Sequence, residues 1–137
     1  MINLDKNNMK HAGFAVFSIF VFLGSVVLAE DTELRDLEAR LDSDLTQAEM
    51  NVTSSDIAQY HDKKLIEKEQ EIMKDLDDKE LQLFKKASKI WHDYRQTQVS
   101  FEGEMYRGGS IQPLIQNRAF ARITRERYEA ISEVLKP

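Results

Sequence analysis

The chain has 137 residues and a net charge of −5, with 42% hydrophobic and 31% charged residues. That is the size of one domain and a globular rather than a disordered balance. It has no cysteine, which excludes a disulfide scaffold, a thiolate nucleophile and a cysteine-based zinc site. Five glycines and two prolines are too few for a collagen, a Gly/Pro-rich linker or a turn-dense sandwich. The acidic balance argues against nucleic acid as the main partner, because phosphate binding needs a basic face.

Residues 12–29 form an uncharged apolar run that follows Lys6, Lys10 and His11 and gives way at once to Glu30, Asp31 and Glu33. A basic start, an apolar run and a small residue before a polar boundary predict a signal peptide over 1–29. Val27-Leu28-Ala29 fits the cleavage pattern. Met9 opens a tidier signal than Met1. The rival reading is an uncleaved anchor, since a run of 18 residues can just span a bilayer. No cysteine follows the run, so a lipoprotein anchor is excluded. Both readings export the rest of the chain to the periplasm or the medium, with no other membrane segment. Exported domains commonly carry disulfides, so their absence needs a cause.

Residues 30–137 hold 17 basic and 23 acidic side chains, net −6. The split within them is larger: 30–80 is net −10 and 81–137 is net +4. Two such parts attract when packed antiparallel. The surplus acid is either a solvated face or a means of steering a basic partner.

Leu34, Leu37, Leu41, Leu45 and Ala48 step by three or four and predict a thin, acidic helical segment within 30–50. A domain over 51–137 follows. The run Asn51-Val52-Thr53-Ser54-Ser55-Asp56 is rich in capping residues and predicts a break. A helix over about 57–76 comes next, with Leu65, Ile72, Met73 and Leu76 on one side. Asp77 with Glu80 three residues on reads as an N-cap. The third helix is long, about 79–106, with an apolar stripe of Phe84, Ala87, Trp91, Tyr94, Phe101 and Met105, joined by Leu83 and Ile90. Gly108-Gly109 ends it. Ser110 is a candidate cap for the last helix, with Pro113 in its first turn. That helix carries Leu114, Phe120, Ile123, Ile131 and Leu135. No alternating β-branched run suggests a sheet. The fold class is all-α, a small antiparallel bundle of three to four helices.

The ordered set Trp91-His92-Asp93-Tyr94-Arg95, Gly108-Gly109-Ser110 and Thr124-Arg125-Glu126-Arg127 resembles the LprI-type family of exported bacterial helical domains. The likeness covers about residues 46–135. The resemblance implies protein binding, with lysozyme as the partner if the founding activity of the family carries over. It also implies where cysteines are missing. Val99 stands four residues after the motif arginine, where the family has one. Another belongs near Ala119, about five residues before Thr124, and a further pair is missing upstream, near Val52 or Thr53. The L-N-x-x-Y motif of the family is reduced to Leu65, with Ile66 and Glu69 at the other places. Val99 and Ala119 are small apolar residues, as a lost buried disulfide would leave, so they are expected to face each other across the third and fourth helices.

Trp91 and Tyr94 read either as an aromatic contact surface for a partner or a glycan, or as core, which is the commoner fate of a lone Trp on an apolar stripe. Arg95 reads as a carboxylate-recognising group, or structurally as the partner of an acid on the acidic helix or a cap on carbonyls near the loop. Arg127, one turn from Thr124, invites the same structural reading. Tyr106-Arg107-Gly108-Gly109-Ser110 is the candidate partner-binding edge. A small loop with a hydroxyl and a nearby Arg suits a glycosidase cleft, which carries two acidic groups. The alternative is an ordinary helix–helix turn. His61 and His92 lie on different helices without the i, i+4 spacing of a helical zinc site. His92 and Asp93 point about 100° apart. No catalytic residue, metal site or cofactor is assigned. The reading is a non-enzymatic exported module that binds a protein. The alternatives are a structural or stress-related envelope protein with another partner and, third, a small enzyme or metal carrier.

Overall fold

The computed structural model describes residues 32–134; the signal-peptide run and Leu135 lie outside them. The first of two structural units ends at Arg35, and of it only one helical turn is described, in which Arg35 Nη2 donates to Thr32 Oγ1. The second unit, from Asp36, holds the fold. Helix α1 covers 32–41, followed by α2 (Gln47–Met73), α3 (Asp78–Glu104) and α4 (Gln112–Val134). No strand occurs among the described residues, and none of their helices is long and apolar enough to cross a membrane. The all-α bundle expected from periodicity is present.

The start of α2 differs from expectation. The helix begins ten residues before position 57, and the run 51–56 lies inside it. The signal is Thr46. Its Oγ1 accepts from the Glu49 N–H, and Glu49 Oε2 accepts from the Thr46 N–H at 2.9 Å, a complete capping box. Thr53 and Ser54 are then free to be buried, because small residues let α4 come close. Asn117 on α4 donates to the Asn51 carbonyl and to Ser54 Oγ, at 3.1 and 3.0 Å. Capping residues inside a helix can equally serve a close helix–helix contact. The helix also ends three residues early, at Met73, leaving Leu76 in the turn.

The second box matches the sequence. Asp77 Oδ1 accepts from the Lys79 and Glu80 N–H groups, and Glu80 returns a bond to the Asp77 N–H. Helix α3 ends at Glu104, and Gly108 takes the left-handed conformation, φ +75°, which a side chain would strain. The N-cap position of α4 is Ile111, whose carbonyl accepts from Ile115 N. Ser110 is therefore not the cap: it lies one residue too early, and its carbonyl accepts from Asn51 Nδ2 instead.

Helix α4 packs closely against both α2 and α3, whose own backbones approach each other far less. One apolar cluster joins Leu65, Ile72 and Ile131, flanked by Leu76, Phe84, Trp91 and Tyr128. A second joins Val99, Ala119 and Ile123, flanked by Trp91 and Phe120. Val99 and Ala119 thus meet across α3 and α4, as the missing cysteines implied. One turn further along α3, a Cβ at Gly103 would run into the Gln116 side chain, so the close approach of α3 to α4 continues there.

Candidate functional site

Two places gather the residues singled out in the sequence. The first lies between the apolar clusters. Arg95 is almost fully buried. Its Nη1 donates to Asp62 Oδ1 at 2.6 Å and to Thr124 Oγ1 at 2.9 Å, tying α3 to α2 and α4 at once. Its Nη2 lies 3.1 Å from His92 Nδ1. The guanidinium stands over the Phe120 ring at 4.0 Å and the Trp91 ring at 4.9 Å. A flat, weakly hydrated cation suits an aromatic slot of this kind better than an ammonium does. Next to it, Glu69 accepts from Ser88 Oγ at 3.0 Å and lies 3.6 Å from His92 Nε2. The guanidinium and Glu69 thus flank the two ring nitrogens of His92.

This node brings together Trp91, Arg95, Thr124 and Arg127 but not Tyr94. Tyr94 is 55% exposed, whereas Trp91 is half-buried and touches both clusters. The expectation that the two share a face fails because α3 turns its buried side toward Arg95 and Val99, about 100° away from Tyr94. Of the readings given for Arg95, the structure shows the ion pair with an acid, Asp62 of α2. Arg127 departs from that pattern: it stacks over Trp91 at 5.6 Å, its Nε is buried without a hydrogen-bond partner, and among the described residues it makes no ion pair. Among the described residues the Arg95 contacts join α3 to α2 and α4 at one point.

The second place is the α3–α4 loop. Met105, Tyr106 and Ile111 expose apolar surface around Gly108 and Gly109. Arg107 is largely in solvent and ion-paired to Glu104. Two bonds hold the loop: Asn51 Nδ2 donates to the Ser110 carbonyl at 3.0 Å, and the Gly108 N–H donates to Gln112 Oε1 at 3.1 Å. A β-carbon at Gly108 would meet nothing within 4 Å. The result is an exposed turn with an apolar rim and an exposed cation, held by hydrogen bonds at Gly108 and Ser110.

Two grooves accompany these places. One, of about 230 Å³, runs between α1, α2 and α4 and is lined by His61, Arg118, Arg122 and Arg125 among others. Burial, then the Arg125 charge, pushes the His61 imidazole below its usual range. On α3, Glu102 is held below the usual carboxylate range by the Gln98 amide and by Arg122 at 2.7 Å. The other, of about 490 Å³ and mostly apolar, opens between Ile72, Leu83, Phe84 and Ile131. Among the described residues no three His, Asp or Glu side chains converge as metal ligands would.

The profile of the family described as Lysozyme inhibitor LprI matches residues 38–131, well over half of the chain. The chain belongs to this family. The LprI match takes in the Arg95 node and the α3–α4 loop together. LprI proteins are a family of lysozyme inhibitors and not an enzyme class. No curated protein and no solved structure matches the chain significantly. The signals that sequence reasoning missed were Asp62 and Glu69, two acids among many on an acidic helix, and Thr46, whose box with Glu49 was legible three residues apart.

Proposed function

We propose that the protein is an exported inhibitor of lysozyme that acts by binding and not by catalysis. The family match over 38–131 carries this reading. The α3–α4 loop, Tyr106 to Ser110, is assigned as the inserting element. It is an exposed turn tied to α2 through Asn51, and its Arg107 and Ser110 have the chemistry to meet paired carboxylates in a glycosidase cleft. The net charge of −6 over residues 30–137 draws in a basic enzyme from a distance, so inhibition weakens as salt rises.

The test is a cell-wall clearing assay with lysozyme and increasing amounts of the protein. Near-stoichiometric slowing is expected. Ser110→Trp and Arg107→Glu are expected to abolish it while the helical circular-dichroism signal is unchanged. Inhibition that survives both substitutions moves the site off the loop. No inhibition at any ratio refutes the function itself.

A further inference from the structure

Helix α3 keeps a second, apolar strip in solvent. Leu83, Ala87, Ile90, Tyr94, Phe101 and Met105 are all exposed. They follow at steps of four and three, and Thr97 completes the one longer interval between Tyr94 and Phe101. This is the spacing that holds a strip against a neighbouring helix along its whole length. The five larger side chains, each more than half exposed, present on the order of 600 Å² of apolar surface, the upper end of what the largest patch on a monomer shows.

We propose that this strip is covered by the same strip of a second copy, with the two α3 helices antiparallel about a two-fold axis at Tyr94. Shape is the first argument. With Tyr94 opposite its own counterpart, the spacing sets Ala87 against Phe101 and Leu83 against Met105 of the other copy. A small residue faces a large ring, and symmetry repeats the fit on the other side of the axis. Charge is the second. Lys86 borders the strip in its N-terminal half and Glu104 in its C-terminal half, on the same edge. Lys86 makes no ion pair among the described residues, and the Glu104 side chain is half exposed beside Arg107. Antiparallel packing brings each Lys86 to the Glu104 of the other copy, whereas parallel packing keeps Lys86 and Glu104 at opposite ends of the strip. Area is the third. Covering such a strip on both copies removes about 1,200 Å², the lower bound of a standard specific interface.

Sedimentation equilibrium of the full chain, purified from the envelope of expressing cells, tests this. A monomer–dimer equilibrium in the micromolar range is expected. Tyr94→Arg places two like charges on the axis and is expected to weaken association about tenfold or more with unchanged circular dichroism. Lys86→Glu weakens it as well, and adding Glu104→Lys restores it. Because the chain has no native cysteine, single cysteines give a second, milder readout. Tyr94→Cys should couple to itself under mild oxidation, and Lys86→Cys should not. A chain that stays monomeric up to ~100 µM overturns the proposal, as does Lys86→Cys coupling more readily than Tyr94→Cys. A monomer whose Tyr94→Arg variant loses lysozyme inhibition overturns it too, since the strip then belongs to the enzyme. The dimer and the inhibitory reading fail separately, because the association measurement contains no lysozyme.

Discussion

The two long faces of α3 invert the usual pattern of a bundle helix. Its buried positions are Ser88, Arg95, Val99 and Gly103, with Phe84 and Trp91 half-buried beside them, while its outer face carries Leu83, Ile90, Tyr94, Phe101 and Met105. Inside, the helix is anchored by a charge-assisted network and by close approach, and outside it displays the large hydrocarbon that would ordinarily form a core. The difference shows that apolar periodicity reports that a helix has a face to cover, without reporting whether its own fold covers it.

The sharpest way to break the inner face is Arg95→Ala. It leaves the fully buried Thr124 and the partly exposed Asp62 without their shared donor and empties the aromatic slot, which together cost about 3 kcal/mol. Chemical denaturation should show the midpoint falling steeply, to the point of unfolding a small domain. A loss below about 1 kcal/mol would mean that water replaces the guanidinium.

The alignment of the same face with α4 can be sharpened by Val99→Cys with Ala119→Cys. The two side chains already pack together, so a disulfide is expected under oxidation. Closing a loop of this length should add about 3 kcal/mol. Mass spectrometry checks the bond, and thermal melts with and without reductant check the gain.

Thr53→Val contrasts a satisfied buried polar group with an unsatisfied one. Thr53 is fully buried and its Oγ1 has no hydrogen-bond partner. Removing the hydroxyl at nearly constant volume should raise stability by about 1 kcal/mol. A fall in the unfolding midpoint would show that the hydroxyl has a partner in solution.

His61 gives a smaller, pH-dependent effect. Burial lowers its pKa in the folded protein from the ordinary 6.5, so the unfolded chain binds the proton more readily. Its contribution is present above pH 6.5 and is lost as the pH falls from there through the folded value. Melting temperature should drop on acidification over that window, and His61→Gln should flatten the slope. The smallest effect is expected on the outer face. Phe101→Ser should change the unfolding free energy of the monomer by no more than about 0.5 kcal/mol, because the ring touches mainly water.

Much of the fold was legible in the residues. The Asp77–Glu80 box, the Gly108-Gly109 exit and the period of α4 are local signals, and local signals survive without knowledge of the rest. Val99 and Ala119 were placed together by the resemblance, and the packing agrees. The beginning of α2 was misread because Thr53 and Ser54 look like caps in sequence and serve as spacers in space. The orientation of α3 was misread because Arg95, polar and charged, occupies the place a Leu would normally hold. At the candidate site the loop was readable from its glycines. The Arg95 node was not, since its partners Asp62 and Thr124 are 33 and 29 residues away along the chain.

The twin boxes at Thr46 and Asp77 have a consequence for how the chain reaches its final form. Each closes within four residues, so the first turns of the two longest helices can be set before any distant segment has been found. With those ends decided early, what remains is mostly the docking of α4, a search among preformed rods. Low-contact-order chains of this kind acquire their structure in milliseconds or less.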